Sequence, residues 1–373
     1  MARNPLRVCL AAALSVLTLA ACSPPPEKSE SSSGGDGAAA ATSVDDLGGM
    51  DALVKAAKAE KELNVIALPP DWANYGTIIK TFSDKYGIKV NSQQPDAGSQ
   101  DEIDAAKRTK GTDRAPDVFD LGQAVALANT GLYAKYKVST WDDIDAEFKD
   151  PDGGWVNDYG GYMAIGYDSA KVPEPKAIDD LLGPKYKGKV ALNGDPTTTG
   201  AGFSGVLMAA VAKGGSADDI APGVAFFADM KKARNYVPVD PTSATIKSGQ
   251  TPVVIDWDYT NAAHVKDVPT WKVVLLPDVA VGGFYYQAIN ADAPHPAAAR
   301  LWEEFLFSDE GQNLWLAGGA RPIRADAMVE AGTIDKAKYD ALPEVTGTPV
   351  IPTTEQTTKL SAYLAKNWSS AVE

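Results

Sequence analysis

Short apolar runs alternate with helical patterns between residues 63 and 121, and this alternation limits the folds open to the chain. β-runs at 63–68 and 88–91 flank a segment in which apolar residues recur at helical spacing. A second helical segment, opened by Ser99 and Glu102 with the spacing of a capping box, leads to a third β-run at 117–121. The βαβαβ order predicts a parallel sheet wrapped by helices.

Three residues just past the ends of these strands are candidate ligand contacts. Trp72 and Tyr75 follow the first β-run, and Gln123 follows the third. In sheets of this kind, ligands bind beyond the carboxyl ends of the strands. A Pro-Pro-Asp turn before Trp72 can project both aromatic side chains from the strand end. The alternative for these two residues is packing inside the protein.

The remaining chain is long enough for a second domain. About 330 residues follow the first 43, which is more than one hydrophobic core usually holds. The same periodicities predict further strands and helices at 162–167, 200–213, 252–257, 271–276, 284–290, 296–307 and 354–368.

A hydroxyl-rich loop joins the β-run 189–192 to an apolar helix that begins near residue 200. Its candidate ligand contacts are three threonines and the three small residues after them: Thr197, Thr198, Thr199, Gly200, Ala201 and Gly202. Hydroxyl donors and uncovered amides at a helix N-terminus predict a site for an anionic group. The same residues suit an ordinary N-cap, in which the threonines satisfy the helix's own first amides. Both interpretations remain open for this stretch.

The β-run 252–257 ends in an aromatic and acidic cluster that suits an ammonium group. The face of Trp257 would attract a cation, and a carboxylate would add a charged hydrogen bond. Asp256 and Asp258 flank the tryptophan, and Asp258 is the predicted contact because it lies beyond the strand end. In the alternative, Trp257 belongs to the core and both acids are solvated.

Two adjacent tyrosines, Tyr285 and Tyr286, lie in the β-run 284–290 and are also candidate ligand contacts. Neighbouring residues of a regular strand point to opposite faces, so both phenolates could reach one metal ion only through a bulge. His264 and His295 are better explained as helix-surface and helix-start residues. We therefore expect neither a metal site nor a cofactor.

The N-terminus carries an export signal. Residues 1–21 combine a basic start, an apolar run too short to span a membrane and small residues before Cys22. The sequence LAAC at 19–22 resembles a bacterial lipobox, which predicts cleavage before Cys22 and its lipidation. Residues 22–43 are rich in Pro, Ser, Gly and Ala, and are expected to form a flexible tether. The lipid alone would hold the exported protein at the outer face of the cytoplasmic membrane.

Charge and motifs exclude several classes of function. The formal charge of −14 becomes −16 once residues 1–21, with two arginines and no acid, are removed. Nucleic acids and anionic membrane surfaces are therefore poor partners. The segment GAGFSG at 200–205 fits the dinucleotide pattern G-x-G-x-x-G, but it begins too far from the preceding strand. No other catalytic motif is present in the sequence, and we expect a monomeric binding protein that is not an enzyme.

Four segments together resemble the solute-binding lipoproteins of ABC transporters, in the type II periplasmic-binding-protein class. They are FSDKYGIKV, YMAIGYDSAKV, YKGKVALNGDPTTTGAGF and NADAPHPAAARLWEEFLFSDEGQ. The resemblance implies an α/β protein of two lobes, with mixed, mainly parallel sheets joined by a two-strand hinge. It also implies a small-molecule ligand between the lobes and delivery to an ABC permease in the cytoplasmic membrane. The first lobe would comprise 44–162 and 288–373, and the second would comprise 163–287 with the hinge crossings.

Two groups within this class suggest different ligands. Trp72, Tyr75 and the acids around Trp257 resemble the spermidine/putrescine-binding proteins, whose aromatic residues clamp the alkyl chain and whose carboxylates bind ammonium groups. Where that group tends to place further acids, this chain has the threonine loop and the tyrosines at 285–286. The loop is more similar to relatives that bind ferric ion with an anion, phosphorylated sugars or 2-aminoethylphosphonate. An aminoalkylphosphonate or phosphate ester is therefore the favoured ligand, and a polyamine is the alternative.

Overall fold

A computed structural model describes residues 34–372 of the chain. Its strands are β1 Glu62–Ile66, β2 Lys89–Gln93, β3 Val118–Leu121, β4 Tyr133–Ala134, β5 Val156–Asp168, β6 Val190–Leu192, β7 Val253–Trp257, β8 Trp271–Val274, β9 Gly282–Asn290 and β10 Arg321–Pro322. Its α-helices are α1 Gly34–Ala40, α2 Met50–Glu60, α3 Tyr75–Tyr86, α4 Ser99–Thr109, α5 Gln123–Ala128, α6 Gly200–Ala212, α7 Ala221–Ala233, α8 Ser243–Ser248, α9 Asp258–Ala263, α10 Pro296–Leu306, α11 Asp309–Ala317, α12 Ala325–Ala331, α13 Lys336–Tyr339 and α14 Thr354–Val372.

The βαβαβ unit predicted near the N-terminus is confirmed. β1 and β2 pair in parallel, and the backbone N–H of Asp117 donates to Asn64 O (2.9 Å), which sets β3 beside β1. The predicted capping box is wrong by one position. Gly98 is the N-cap of α4, and its N–H donates to the carboxylate of Asp101 (2.9 Å). Glu102 is instead buried, and it accepts a hydrogen bond from the backbone of the end of β3.

One strand, β5, passes through both halves of the protein. Its first half, 156–162, pairs with β9 and β10, whereas its second half, 163–168, pairs with β7 and β8. We call the two-stranded sheet β1–β2, together with β3, β9 and the first half of β5, the first lobe. The sheet containing β6, β7, β8 and the second half of β5 is the second lobe. The two-lobe α/β architecture with its crossing strands is confirmed.

The strand pairing departs from the prediction in two details. Only β1–β2 and β6–β7 are parallel among the strand pairs that the structure describes. The other pairs involve β5 or β9, which run against their neighbours, so antiparallel pairing is more frequent than we expected. The division expected at 287/288 falls inside β9, which pairs with β5 of the first lobe from Gly282 onward.

The N-terminal part of the described chain docks on the first lobe. Ala38 and Ala41 are buried, and the guanidinium of Arg300 donates to Ala39 O (2.9 Å) and Ala41 O (3.0 Å). The expectation of a flexible tether reaching residue 43 is therefore wrong for this part, because these carbonyls are satisfied by a side chain of α10. The predicted signal peptide 1–21, the predicted lipidation site Cys22 and the rest of the predicted tether to residue 33 lie outside the described residues. No helix within 34–372 is long and apolar enough to cross a membrane.

The last helix, α14, contacts both lobes. Near its start, the hydroxyl of Thr357 donates to the side-chain oxygen of Gln123 (3.2 Å) on the first lobe. Near its end, the ring of Trp368 packs against Phe227 (5.2 Å between centroids) of α7 and against Tyr236 (6.4 Å). The helix is therefore a third connection between the lobes, besides β5 and β9.

A buried carboxyl group in α10 makes stability depend on pH. Glu303 is 3% exposed, and burial raises its pKa from 4.5 to about 8 despite the nearby charge of Arg300. Between these two pH values the folded chain holds a proton that the unfolded chain has lost, so this group's contribution makes stability fall as pH rises.

Replacing Glu303 with glutamine should remove this dependence, because the amide stays neutral. We expect Glu303→Gln to be more stable than the wild type by about 1 kcal/mol or more at pH 9, and nearly equal to it below pH 5. Urea unfolding at both pH values measures the difference. An advantage for the variant that is the same at both would contradict the explanation.

Candidate functional site

Five aromatic side chains meet where the two lobes join, and we call them the aromatic wall: Trp72, Tyr159, Trp257, Tyr259 and Tyr285. Trp72, in the loop after β1, makes edge contacts with Tyr285 (5.8 Å) of β9 and Tyr259 (5.9 Å) of α9. Tyr159 of β5 stacks on Tyr285 (5.4 Å), and Trp257 at the end of β7 is parallel to Tyr259 (6.4 Å). The wall thus contains residues of both lobes.

A glycine on β9 makes room for one of these rings. A Cβ atom at Gly283 would lie 2.6 Å from Cη2 of Trp257, which is far closer than real side chains approach. The indole can therefore lie directly on the crossing strand. The aromatic wall thus contains three of the residues predicted from sequence, which are Trp72, Trp257 and Tyr285.

Trp72 and Tyr75, predicted together, have different environments. Trp72 is partly exposed, and its indole N–H donates to the hydroxyl of Tyr159 (2.8 Å). Tyr75 is fully buried, stacks edge-on against Trp315 (4.7 Å) and donates its hydroxyl to Asp120 (2.6 Å). Tyr75 therefore supports the wall from behind, as the packing alternative for this residue described.

Gln123 lies at the start of α5 but is engaged by the C-terminal segment. Its side-chain N–H donates to Pro352 O (2.9 Å), and its oxygen accepts from Thr357. Tyr286 is on the same side of β9 as Gln123 and packs against Trp155 (4.7 Å). Tyr285 faces the aromatic wall, so the two tyrosines point to opposite faces, as the strand period requires.

The predicted cation partner, Asp258, already has a cationic partner within the chain. Its carboxylate is buried, lies 3.4 Å from the guanidinium of Arg321 and accepts from the backbone N–H groups of Tyr162 and Tyr259. The sequence expectation that Asp258 would meet a ligand directly is not supported by this geometry, because its oxygens are engaged. Asp256 is also buried, and it accepts from Asn193 (2.9 Å), which begins the threonine loop.

The threonine loop uses its donors internally. The hydroxyl and backbone N–H of Thr197 both donate to a carboxylate oxygen of Asp195 (2.7 Å each). The hydroxyl of Thr199 donates to Asp195 O (3.0 Å) and accepts from the N–H of Gly202 (3.2 Å), as an N-cap does. Ala201 and Gly202 are buried, whereas Gly200 and the threonines are exposed. This arrangement matches the N-cap alternative, with a carboxylate already present beside the helix N-terminus.

Asp120, at the carboxyl end of β3, was not recognised from the sequence. It lies beneath the wall, where its carboxylate accepts from the hydroxyls of Tyr75 (2.6 Å) and Tyr159 (3.2 Å). Burial raises the pKa of Asp120 to about 7, and burial likewise raises that of Asp256 to about 7. No basic side chain forms an ion pair with either acid in the described part of the chain. The position of Asp120 near the end of the β-run, two residues before Gly122, was the signal that could have found it.

The loops at the carboxyl ends of the parallel strands are acidic. The loops at 67–74, 94–98 and 193–199 follow β1, β2 and β6, and they contain Asp71, Asp96 and Asp195 without a single lysine, arginine or histidine. The hydroxyl of Ser243, on α8, lies 3.5 Å from the carboxylate of Asp71, so loops of the two lobes meet here. These three loops therefore contribute negative charge, and Asp71 places part of it at this junction.

Several solved structures share this fold. AgtB from A. tumefaciens R10, in complex with agropinic acid, is 16% identical with a TM-score of 0.64, and the match covers 83% of this chain and 98% of that one. The ferric binding protein from Campylobacter jejuni is 18% identical with a TM-score of 0.61, over 83% of this chain and 99% of that one. Iron-bound HitA from Pseudomonas aeruginosa is 19% identical with a TM-score of 0.59, over 83% and 99%.

The fold is thus that of two-lobe periplasmic binding proteins. A search among curated protein sequences returned no match. The family model for bacterial extracellular solute-binding proteins matches residues 116–344, which is more than half of the chain. The chain therefore belongs to the family of bacterial extracellular solute-binding proteins.

Proposed function

We propose that this protein is the solute receptor of an ABC importer and captures a small solute with at least one ammonium group between its lobes. The observation that carries the proposal is an aromatic wall beside two buried acids, Asp120 and Asp256, that form no ion pair in the described chain. Asp258, by contrast, is paired with Arg321. Partly exposed Trp72 and Tyr285 offer ring faces to a cation, which is worth about 0.5–2 kcal/mol for each good contact. Asp120 and Asp256 lie beside the same rings and are free of ion pairs within the described chain.

The charge of the surroundings supports the same class of ligand. Asp71 precedes Trp72 of the wall, and Asp195 lies on the loop whose Asn193 contacts Asp256, so each would attract a solute cation and repel an anion. A linear polyamine, with ammonium groups joined by an alkyl chain, satisfies both the acids and the apolar rings. Spermidine and putrescine are therefore the first probes.

The anionic or zwitterionic ligand expected from the threonine loop has less support. Asp195 accepts the hydrogen bonds of Thr197 that an anionic group would need, and Thr199 caps its own helix. An aminoalkylphosphonate could still place its ammonium group on the wall, so it belongs among the probes. Export, lipidation of Cys22, a monomeric state and delivery to a membrane permease complete the proposal, and they rest on the signal sequence and the family.

A substitution in the threonine loop distinguishes the two ligand classes. A Cβ at Gly200 meets no atom within 4 Å, and its φ lies outside the left-handed region, so Gly200→Asp should fold normally. It adds a carboxylate at the N-terminus of α6, where the helix dipole favours it. We expect the wild type to bind spermidine or putrescine, and the variant to bind at least as tightly. Calorimetric titration with spermidine, a hexose phosphate and 2-aminoethylphosphonate measures this.

Gly131→Asp provides the matched control, because Gly131 is equally unobstructed and lies after α5, outside the site. It should leave every affinity unchanged. Wild-type binding of a phosphonate or phosphate ester that disappears in Gly200→Asp would overturn the cation assignment in favour of the anion. Native mass spectrometry of freshly purified protein would identify a retained solute directly.

A further inference from the structure

Two buried carboxyl groups, Asp120 and Asp158, lie next to the aromatic wall within the first lobe. They are 7% and 0% exposed. Asp120 Oδ1 and Asp158 Oδ2 have no hydrogen-bond partner among the described residues. Burying an ionised carboxylate without a counter-charge is costly, so such a group tends to keep its proton. The pair is therefore a place where the folded protein can store a proton.

Hydrogen bonds connect Asp120 to the exposed side of the wall. The indole N–H of Trp72 donates to the hydroxyl of Tyr159 (2.8 Å), and that hydroxyl donates to Asp120 (3.2 Å). Gln287 donates to the hydroxyl of Tyr75 (3.1 Å), which is the second donor to Asp120. A cation bound against Trp72 and Tyr285 would thus be close enough to act electrostatically on Asp120, with little water between them.

The groups that face Asp120 from the surrounding elements are all acidic or neutral. They come from α3, α4, β5, β9 and α9, and they are Tyr75, Glu102, Asp158, Tyr159, Tyr285 and Tyr259. Burial raises the pKa of Asp120 to about 7, and burial together with the charge of Asp120 raises that of Asp158 well above its usual range. Since none of these neighbours is a base, a cation can come only from outside this cluster.

We propose that the Asp120–Asp158 pair holds a dissociable proton in the free protein, and that a solute ammonium group at the aromatic wall expels it. The inference rests on the proposed function and adds its regulation. The O–H bond of one carboxyl breaks, the proton passes to water or buffer, and the carboxylate left behind is the counter-charge of the bound cation. Affinity then rises with pH, because proton release and solute binding are linked.

Calorimetry with putrescine tests this directly. Its primary amines resemble that of lysine, which has a pKa of about 10.4. The ligand itself therefore stays protonated at neutral pH. We expect the binding enthalpy at pH 7 to vary linearly with the ionisation enthalpy of the buffer, with a slope of roughly 0.5–1 proton released. The slope should be smaller at pH 9, where Asp120, whose pKa burial raises to about 7, has already lost its proton.

Asp120→Asn should lower the release and weaken the pH dependence of the putrescine affinity between pH 6 and 8, while Asp256 keeps its own smaller contribution. Asp158→Asn provides a second variant that lowers the release if the first variant does not fold. Asp229→Asn, an exposed acid on α7 paired with Lys232, is the control and should behave as the wild type. Putrescine binding by the wild type with no buffer dependence would overturn this inference alone. Failure of putrescine, spermidine and 2-aminoethylphosphonate to bind at all would instead overturn the proposed function, and this inference with it.

Discussion

Replacing Trp72 with alanine should weaken binding of an ammonium solute by about 100-fold or more. The indole offers the wall's exposed ring face and contacts Tyr285 and Tyr259, which belong to different lobes. The variant loses a cation–π contact and the apolar surface that excludes water, which together are worth about 3 kcal/mol, or two factors of ten in affinity. Calorimetric titration with spermidine measures the loss.

Two controls separate the roles of the ring and the N–H group. Trp72→Phe keeps an aromatic face but loses the hydrogen bond to Tyr159, and we expect an intermediate loss of about tenfold. Trp141→Ala removes a tryptophan that contacts Lys137 and Lys149 outside the site, and it should leave the affinity unchanged. Equal affinity in the wild type and Trp72→Ala, with both proteins folded, would show that the wall does not bind the solute.

Replacing Arg300 with methionine should cost about 3–5 kcal/mol of stability. This guanidinium is 1% exposed, lies over the ring of Tyr136 (5.4 Å) and donates to three backbone carbonyls. Two of these, Ala39 O and Ala41 O, belong to the N-terminal segment, and the third is Pro296 O. Methionine retains the apolar stem but leaves buried carbonyls without donors, which is the source of the penalty.

The same change should release the N-terminal segment. Hydrogen exchange of the amides around residues 41–43 should accelerate more in Arg300→Met than in the rest of the first lobe, and urea unfolding gives the total loss. Arg108→Met, at an exposed position of α4, is the control and should change stability by less than about 0.5 kcal/mol. A fully stable Arg300→Met protein would show that the segment is held by other contacts.

The fold was largely readable from the sequence because its signals are local. The alternation of β-runs and helical patterns before residue 121 produced the observed βαβαβ unit, and the crossing strands appeared as β-runs at 162–167 and 284–290. The prediction of a flexible tether is wrong near residues 39–41. The side chain that holds this segment in place is Arg300 on α10, which is more than 250 positions away in the sequence. Small residues without apolar periodicity look flexible unless a distant donor satisfies their carbonyls.

The candidate site could be predicted only in part, because several of its contacts join residues that are far apart in the sequence. The strand-end rule located Trp72 and Trp257, and the structure brings them together with Tyr285. The strand-end rule does not predict the ion pair between Arg321 and Asp258. That contact depends on the pairing of β10 with β5, which places Arg321 near Asp258. For the threonine loop the sequence leaves both interpretations open, and the hydrogen bonds from Thr197 to Asp195 favour the N-cap without testing whether the loop binds a ligand.

Because α14 is attached to the second lobe, labels near the two ends of the described chain can be used to measure movement of the lobes. Arg300 holds the N-terminal segment on the first lobe, while Trp368 seats the end of α14 on α7 of the second lobe. Gly37 and Ser370 are exposed near the two ends. A donor and an acceptor dye at these positions would therefore be carried by different lobes, and energy transfer between them would follow lobe movement in single molecules without any label near the solute.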